Sequence, residues 1–482
     1  MPETNELRFT LKQHTPIIHF QHDQPEANIR TTEIKPKLDA YIFKEILASH
    51  NIPLEGLPPN MKFKESLEAH PIFKKYLISA GQNEHPALDY KIHISLHPNQ
   101  IHHYEIGKII PSGYWDLQFP CFFANIGLKP EEKEKQRFFS FSKNPIQVKI
   151  FTLNQSLLKY FFTIEPKGGP ATKIETILKA FFLDHNFGMR QSKGFGSFTL
   201  ETFNNQAVDY DWNAHRYIFN VEVPNELVRR NDELKVCGYL TDEDIQMNLK
   251  WFKVFDHIDI FYRTLRSGIN LPSKNSPFYF KSLMFHWAKK EGEIWDKKRM
   301  RQFFYGGGNN RPIHPEYSQV SNRRGGDKSG TFAFMPEGKS SDSQAQFLYR
   351  DLLGLSSEQM WFKYDKDTIT KEIKSPEGDM LYRFKSPLLF KPVYDGNNEM
   401  WRVIISISDI PAQYLAGEAT IASKNRGGGL SLRLPQQFDL KEYLAWAINT
   451  FSSNPANYFS PHPEHEKMRI IRKIYQDLNS KK

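Results

Sequence analysis

The chain has 482 residues, with 64 Lys and Arg against 55 Asp and Glu and a formal net charge of +9, a balance that suits a polyanionic partner when the charge is focused locally. Two cysteines, Cys121 and Cys237, with no CxxC pair, exclude a disulfide scaffold and a cysteine-based zinc site, and no apolar run reaches the roughly 20 residues that span a bilayer. The expectation is two domains of roughly 200 residues in a reducing, cytoplasmic compartment, with no membrane contact.

Leu7, Phe9 and Leu11 alternate with Arg8, Thr10 and Lys12, the period-two signature of a half-buried strand that ends at Thr15-Pro16. Leu38, Tyr41, Ile42 and Ile46 then recur at helical spacing, with Pro36 in the first helical turn, where its missing N–H costs little. Tyr90, Ile92, Ile94 and Leu96 alternate as a strand, and the apolar runs Ile146 to Leu153 and Leu157 to Ile164 read as two more. The turn Pro166-Lys167-Gly168-Gly169 leads to a helix with Ile174, Ile177, Leu178, Phe181 and Phe182 on one face. A glycine-rich loop follows, and Phe198, Leu200 and Phe203 mark a last strand. The order is close to β-α-β-β-α-β, so the expected class is α+β, starting with a ferredoxin-like (RRM-like) domain over residues 1–205.

Residues 206–482 read as a second ferredoxin-like domain with helical insertions. Tyr217 to Val223 is an expected strand, and Thr241 or Asp242 caps a long helix carrying Ile245, Leu249, Phe252 and Phe255. From Tyr305 to Lys339 the composition shifts to Gly, Asn, Arg and Ser, which predicts a mobile basic loop. Arg383 to Val393 and Trp401 to Ile407 pair across Asp395-Gly396-Asn397-Asn398. A second glycine turn, Lys424 to Gly429, precedes a helix with Leu440, Tyr443, Leu444 and Ala447, capped by Asp439, and a basic amphipathic helix spans His465 to Leu478.

The loop Gly188-Met189-Arg190-Gln191-Ser192-Lys193-Gly194-Phe195-Gly196 is the main candidate site. Its glycines permit positive φ and close approach of a ligand, and successive backbone N–H groups form a concavity for phosphate oxygens, with Arg190 and Lys193 adding charge. A helix C-cap at Gly188 and a tight turn at Gly194 explain the same residues without a ligand. Phe195 is either a stacking surface for a base or a plug in the core beneath the turn. No GK[ST] follows, and the loop precedes a strand rather than a helix, so nucleotide cofactors are not expected.

The pattern Gly-x-Arg-x-Ser-x-Gly-x-Gly over 188–196, after the second helix of a ferredoxin-like order, resembles the glycine-rich loop of the RAMP superfamily of CRISPR proteins. Leu11 to Pro16 with Arg30 to Lys35, Arg263 to Ile269, and Phe384 to Pro392 resemble segments of the first-subunit family of the type III-B (Cmr) effector complex. Pro36 stands where that family usually has glycine, and its following Trp and Arg cluster is replaced by Asp39-Ala40-Tyr41. The resemblance implies binding of single-stranded guide or target RNA beside other CRISPR effector subunits, in antiviral defence, with no cofactor. The residues expected at RNA are Gly188, Arg190, Ser192, Lys193, Gly194, Phe195 and Gly196 of the loop, with Lys12, Arg30, Lys35 and Lys37 on a shared sheet-helix face.

The alternative that the resemblance raises is a metal-independent RAMP-type endoribonuclease that processes CRISPR RNA. It needs a general base, work suited to histidine, and His14 and His19 are the candidates. Asp23 falls in a region where related backbone subunits carry a cleaving aspartate. A turn role for His14, a packed ring for His19 and a capping or solvated Asp23 are the preferred readings. No His, Cys or acidic set has metal-ligand spacing.

Overall fold

The computed structural model describes residues 5–18, 28–50, 71–78, 87–96, 101–105, 138–163, 172–223, 242–271, 277–293, 295–305, 347–355, 358–361, 367–381 and 384–481. The expected turn at 166–169 and the expected basic loop beyond Tyr305 lie outside the described residues. The fold is α+β with antiparallel sheets.

In the first half the chain runs β1 (Glu6–Gln13), α1 (Thr31–Ser49), β2 (Lys91–Ser95), β3 (Ile101–Glu105), β4 (Phe138–Ser142), β5 (Ile146–Phe151), α2 (Gln155–Phe161), α3 (Lys173–Asp184), β6 (Phe198–Phe203) and β7 (Gln206–Ala207). The main sheet has the order β2-β5-β1-β6-β7, with antiparallel pairing throughout. Strands β3 and β4 form a separate pair. The alternation in β1 turns Leu7, Phe9 and Leu11 onto α1 and α3, where they join Ile34, Leu38, Ile42, Ile177 and Phe182 in one core. Each such side chain contributes roughly 1.5–3 kcal/mol by leaving water. Arg8, Thr10 and Lys12 point to the other face of the sheet.

Two local expectations fail here for identifiable reasons. Residues 157–163 do not form the expected strand: Asn154 Oδ1 accepts from the Leu157 N–H at 3.0 Å and starts a short helix. Leu157 and Phe161 then share its buried face, a spacing that the surrounding apolar residues conceal. Helix α1 begins at Thr31, with the Arg30 carbonyl accepting from Glu33 and Ile34, so Pro36 sits in the second turn rather than the first.

The second half contains β8 (Ile218–Glu222), α4 (Asp242–Arg266), β9 (Ile269–Leu271), β10 (Phe278–Phe280), α5 (Leu283–Lys290), α6 (Asp296–Tyr305), β11 (Glu358–Trp361), β12 (Asp367–Lys374), β13 (Met380–Leu381), β14 (Leu388–Asp395), β15 (Met400–Ile407), β16 (Glu418–Ser423), β17 (Gly429–Arg433), α7 (Leu440–Ser453) and α8 (Glu466–Asn479). One sheet has the order β14-β15-β8, another β11-β12-β16-β17 with β13 beside β12, and β9 pairs with β10. The Lys424 to Gly429 turn therefore joins β16 to β17 and does not lead directly into a helix. Asp439 caps α7 by accepting from Lys441 N and Glu442 N at 2.8 and 3.1 Å.

A larger core fills this half and takes in Ile18, Phe141 and Phe195 from the first. Beside it, Asp351 pairs with Lys371 at 2.5 Å and Arg266 at 3.3 Å, and Arg350 with Asp296 at 2.8 Å, all of them buried apart from Arg266. Opposite charge offsets the desolvation, and removal of one partner would leave a buried charge uncompensated.

Candidate nucleic-acid interface

The loop between α3 and β6 is shaped by its glycines. Gly188, Gly194 and Gly196 have φ of +76°, +93° and +66°, and Arg190 joins them at +56°. A Cβ on Gly196 would lie 1.9 Å from the Phe187 carbonyl oxygen, and one on Gly188 would lie 2.5 Å from Ile17 Cγ1. Both the conformation and the lack of room therefore demand glycine.

The loop's N–H groups mostly face inward. Gly188 N donates to Glu33 Oε1 at 2.6 Å, Met189 N to Ile18 O at 2.7 Å, Gly196 N to Pro16 O at 2.9 Å and Ser197 N to Thr15 Oγ1 at 2.9 Å. Lys193 N and Gly194 N close the short turn on Arg190 O and Gln191 O. These donors are thus taken up by α1, the segment after β1 and the loop itself.

Phe195 settles between its two sequence readings. Its ring is fully buried and stacks on Phe255 of α4 with centroids 4.1 Å apart and planes at 11°. It is the plug, and it is not presented to a base. Lys193 is also drawn inward, its Nζ 3.0 Å from the centroid of Tyr262. Burial is the main cause that pushes this ammonium down to about 7; Arg266 and Arg190 push the same way and Asp259 opposes them.

Strand β14 docks against the loop. Ser197 Oγ donates to Pro392 O at 2.7 Å, Asn186 Nδ2 donates to Phe390 O at 2.8 Å and to Gln191 O at 2.7 Å, and Lys391 Nζ donates to His185 O at 2.8 Å. Lys391 is fully enclosed, and burial holds its ammonium well below the usual lysine range. The loop is therefore a pin between the two halves.

His14 belongs to the same pin. Its Nδ1 accepts from the Tyr394 N–H at 3.1 Å, so Nε2 carries the proton and meets Thr199 Oγ1 at 2.7 Å, while its carbonyl accepts from Trp251 Nε1 at 3.0 Å. The ring is buried, and burial first, then Lys12 and Lys391, hold it well below its ordinary value. A general base needs a lone pair within reach of substrate, and His14 has neither that lone pair nor access. His19 and Asp23 lie outside the described residues.

The four cations outside the loop do not share a face. Lys35 binds Asp39 at 2.9 Å and Leu88 O at 2.9 Å, and covers Tyr90 at 3.9 Å. Lys37 binds Glu33 at 3.2 Å and Gln191 Oε1 at 3.3 Å, fastening α1 to the loop beside Arg30, the cap of that helix. Lys12 lies across the sheet from them, exposed on the face turned away from α1.

That outer face holds the residues that the sequence reading missed. Register places Arg8 opposite Lys149, Lys149 opposite His93, and Lys91 opposite Phe151. Residues directly across from one another share a face. Lys91, Lys149, Arg8 and Lys12 thus form a cationic row with His93 among them, and Phe151 beside them is 43% exposed. Glu6 bridges Arg8 at 2.5 Å and Lys149 at 3.5 Å, and Glu201 accepts from Thr10. The signal was present in the alternation Lys91-x-His93 and Gln147-x-Lys149-x-Phe151, which is legible only once strand order is known.

Among the described residues no group of three or more His, Cys, Asp or Glu is placed to hold a metal, and no helix is long and apolar enough to cross a membrane. The geometry defines a cationic α+β protein whose halves are pinned through a glycine loop. The family model for the Cmr1 N-terminal domain matches residues 4–269, and that for the Cmr1 C-terminal domain matches residues 279–473. The chain belongs to the Cmr1 family, and so to the type III-B CRISPR effector subunits, with other Cmr subunits as its associates. No curated protein and no solved structure matches it.

Proposed function

We propose that this subunit binds single-stranded guide or target RNA on the outer face of its first sheet. The observation that carries the reading is the row Lys91, Lys149, Arg8 and Lys12 with exposed Phe151 on an α+β sheet whose other face is covered by helices. RNA-recognition sheets work this way: aromatic rings stack unpaired bases, and cations follow the backbone with little regard to sequence. The order β2-β5-β1-β6 over two helices supports the ferredoxin-like (RRM-like) reading of residues 1–205. In residues 206–482, β14-β15-β8 with α4 and α8 supports a second such unit through three of its strands.

Arg190 and Ser192, half-exposed at the rim of the loop, offer a separate contact for RNA on the α1 side of the sheet. Gly188, Gly194, Gly196 and Phe195 serve it indirectly by holding the rim in place.

Retention of labelled single-stranded RNA by the full chain, in chelator and over a range of salt, tests this. Binding that weakens steeply with salt is expected; no retention at low salt would end the proposal.

A further inference from the structure

The two glycine-rich segments differ in what their glycines are for. Gly188, Gly194 and Gly196 all have positive φ and close neighbours at the position of a Cβ. In the turn joining β16 to β17, only Gly428 has positive φ, at +90°. A Cβ on Gly427 or Gly429 would meet no described atom within 4 Å. Gly429 even opens β17, pairing with Ala422, where a glycine weakens the ladder. The fold explains one glycine of three, and the bare backbone at the other two is what close approach by another chain requires.

The rest of the turn is held firmly. Ser423 Oγ donates to the buried Asp367 at 2.6 Å and accepts from Arg426 N at 2.9 Å, and Asn425 N donates to Asp367 Oδ1 at 3.2 Å. Tyr305 OH also donates to Asp367, at 2.5 Å, and its ring stacks on Trp361 at 5.8 Å and has the Arg426 guanidinium 5.9 Å from its centroid. Phe303, 41% exposed, comes within 3.5 Å of the Cβ position at Gly428. Arg299 stands one helical turn earlier, on the same face of α6 as Phe303.

We propose that the Lys424 to Gly429 turn, with Phe303 and Arg299, is a second contact for single-stranded nucleic acid. The sugar-phosphate backbone passes over Gly427 and Gly429, Arg426 and Arg299 supply charge, and Phe303 supplies a stacking face. Positive charge beside an exposed ring favours this partner over a protein surface. The inference rests on the RNA-binding reading above but uses different residues.

The test is binding of labelled oligouridylate to the full chain, comparing wild type with a Gly427→Val, Gly429→Val variant, a Phe303→Ala, Arg426→Ala variant and a Lys12→Ala, Lys149→Ala variant. Valine at either glycine meets no described atom, so thermal stability should hold while RNA affinity falls about tenfold, with a similar fall for the Phe303 pair. Unchanged affinity in both turn variants, with loss in the Lys12 pair, overturns this inference alone; loss in the turn variants with an intact Lys12 pair supports it and removes the sheet face. No binding by wild type overturns both. Normal RNA affinity with lost association to other effector subunits overturns it in favour of a protein-docking role.

Discussion

At Gly196 the backbone φ is +66° and the space for a Cβ is occupied by the Phe187 carbonyl, so Gly196→Ala combines strain with a clash that backbone alone must relieve. Gly196→Ala should reduce soluble yield and thermal stability sharply, whereas Gly427→Ala should leave both unchanged; equal effects would contradict the distinction between the two segments. Phe195→Ala empties a fully buried site against Phe255, and urea unfolding should show a loss of about 3–5 kcal/mol. A ring exposed for base stacking would instead give a small loss of stability with a loss of RNA affinity. Sequence could pose the choice for Phe195 but not decide it, because the stacking partner Phe255 is 60 positions away in α4, and nothing local reveals that contact.

Among the elements, the glycine loop changes role most between sequence and structure. Its motif was legible, as were β1, α1, α3, β6, α8 and the cap of α7, because each is written in a local period or a capping residue. Its outward or inward orientation was not legible, since that depends on β14 and α4. The helix at 155–161 was misread because Leu157 to Phe162 is apolar except at Lys159, which leaves no clear period. The loop also carries a pH signature. Lys193 is pushed down to about 7 by burial and its arginine neighbours, so between that value and the ordinary lysine range the unfolded chain holds the proton that the folded chain has released. Stability therefore rises with pH across that window and is lower at pH 7 and below. Urea midpoints from pH 7 to 9.5 should climb less in Lys193→Met than in wild type; parallel curves would show that Lys193 is not buried as described.

Over the whole molecule, neutral buried histidines set the acid limit. His14, His257 and His286 are held below 6.5 chiefly by burial, His257 to about 3 and His286 to about 4. Each binds its proton more readily when unfolded, so stability is intact above about pH 6.5 and falls as pH drops toward 4. His14 is bonded to β6 and β14 together, so acid should loosen the joint between the halves, and a thermal scan at pH 5 should show an earlier transition than at pH 7.

The claim on which the functional account turns is that RNA lies along the outer face of the first sheet. The most direct measurement is the slope of log binding constant against log salt for single-stranded RNA, in wild type and in Lys12→Ala, Lys149→Ala. Removing two phosphate contacts should weaken binding and reduce the magnitude of the slope by roughly 1.4, about 0.7 for each lysine on a single strand. Unchanged slope and affinity would mean that the cationic row is a solvated surface, and would contradict the account.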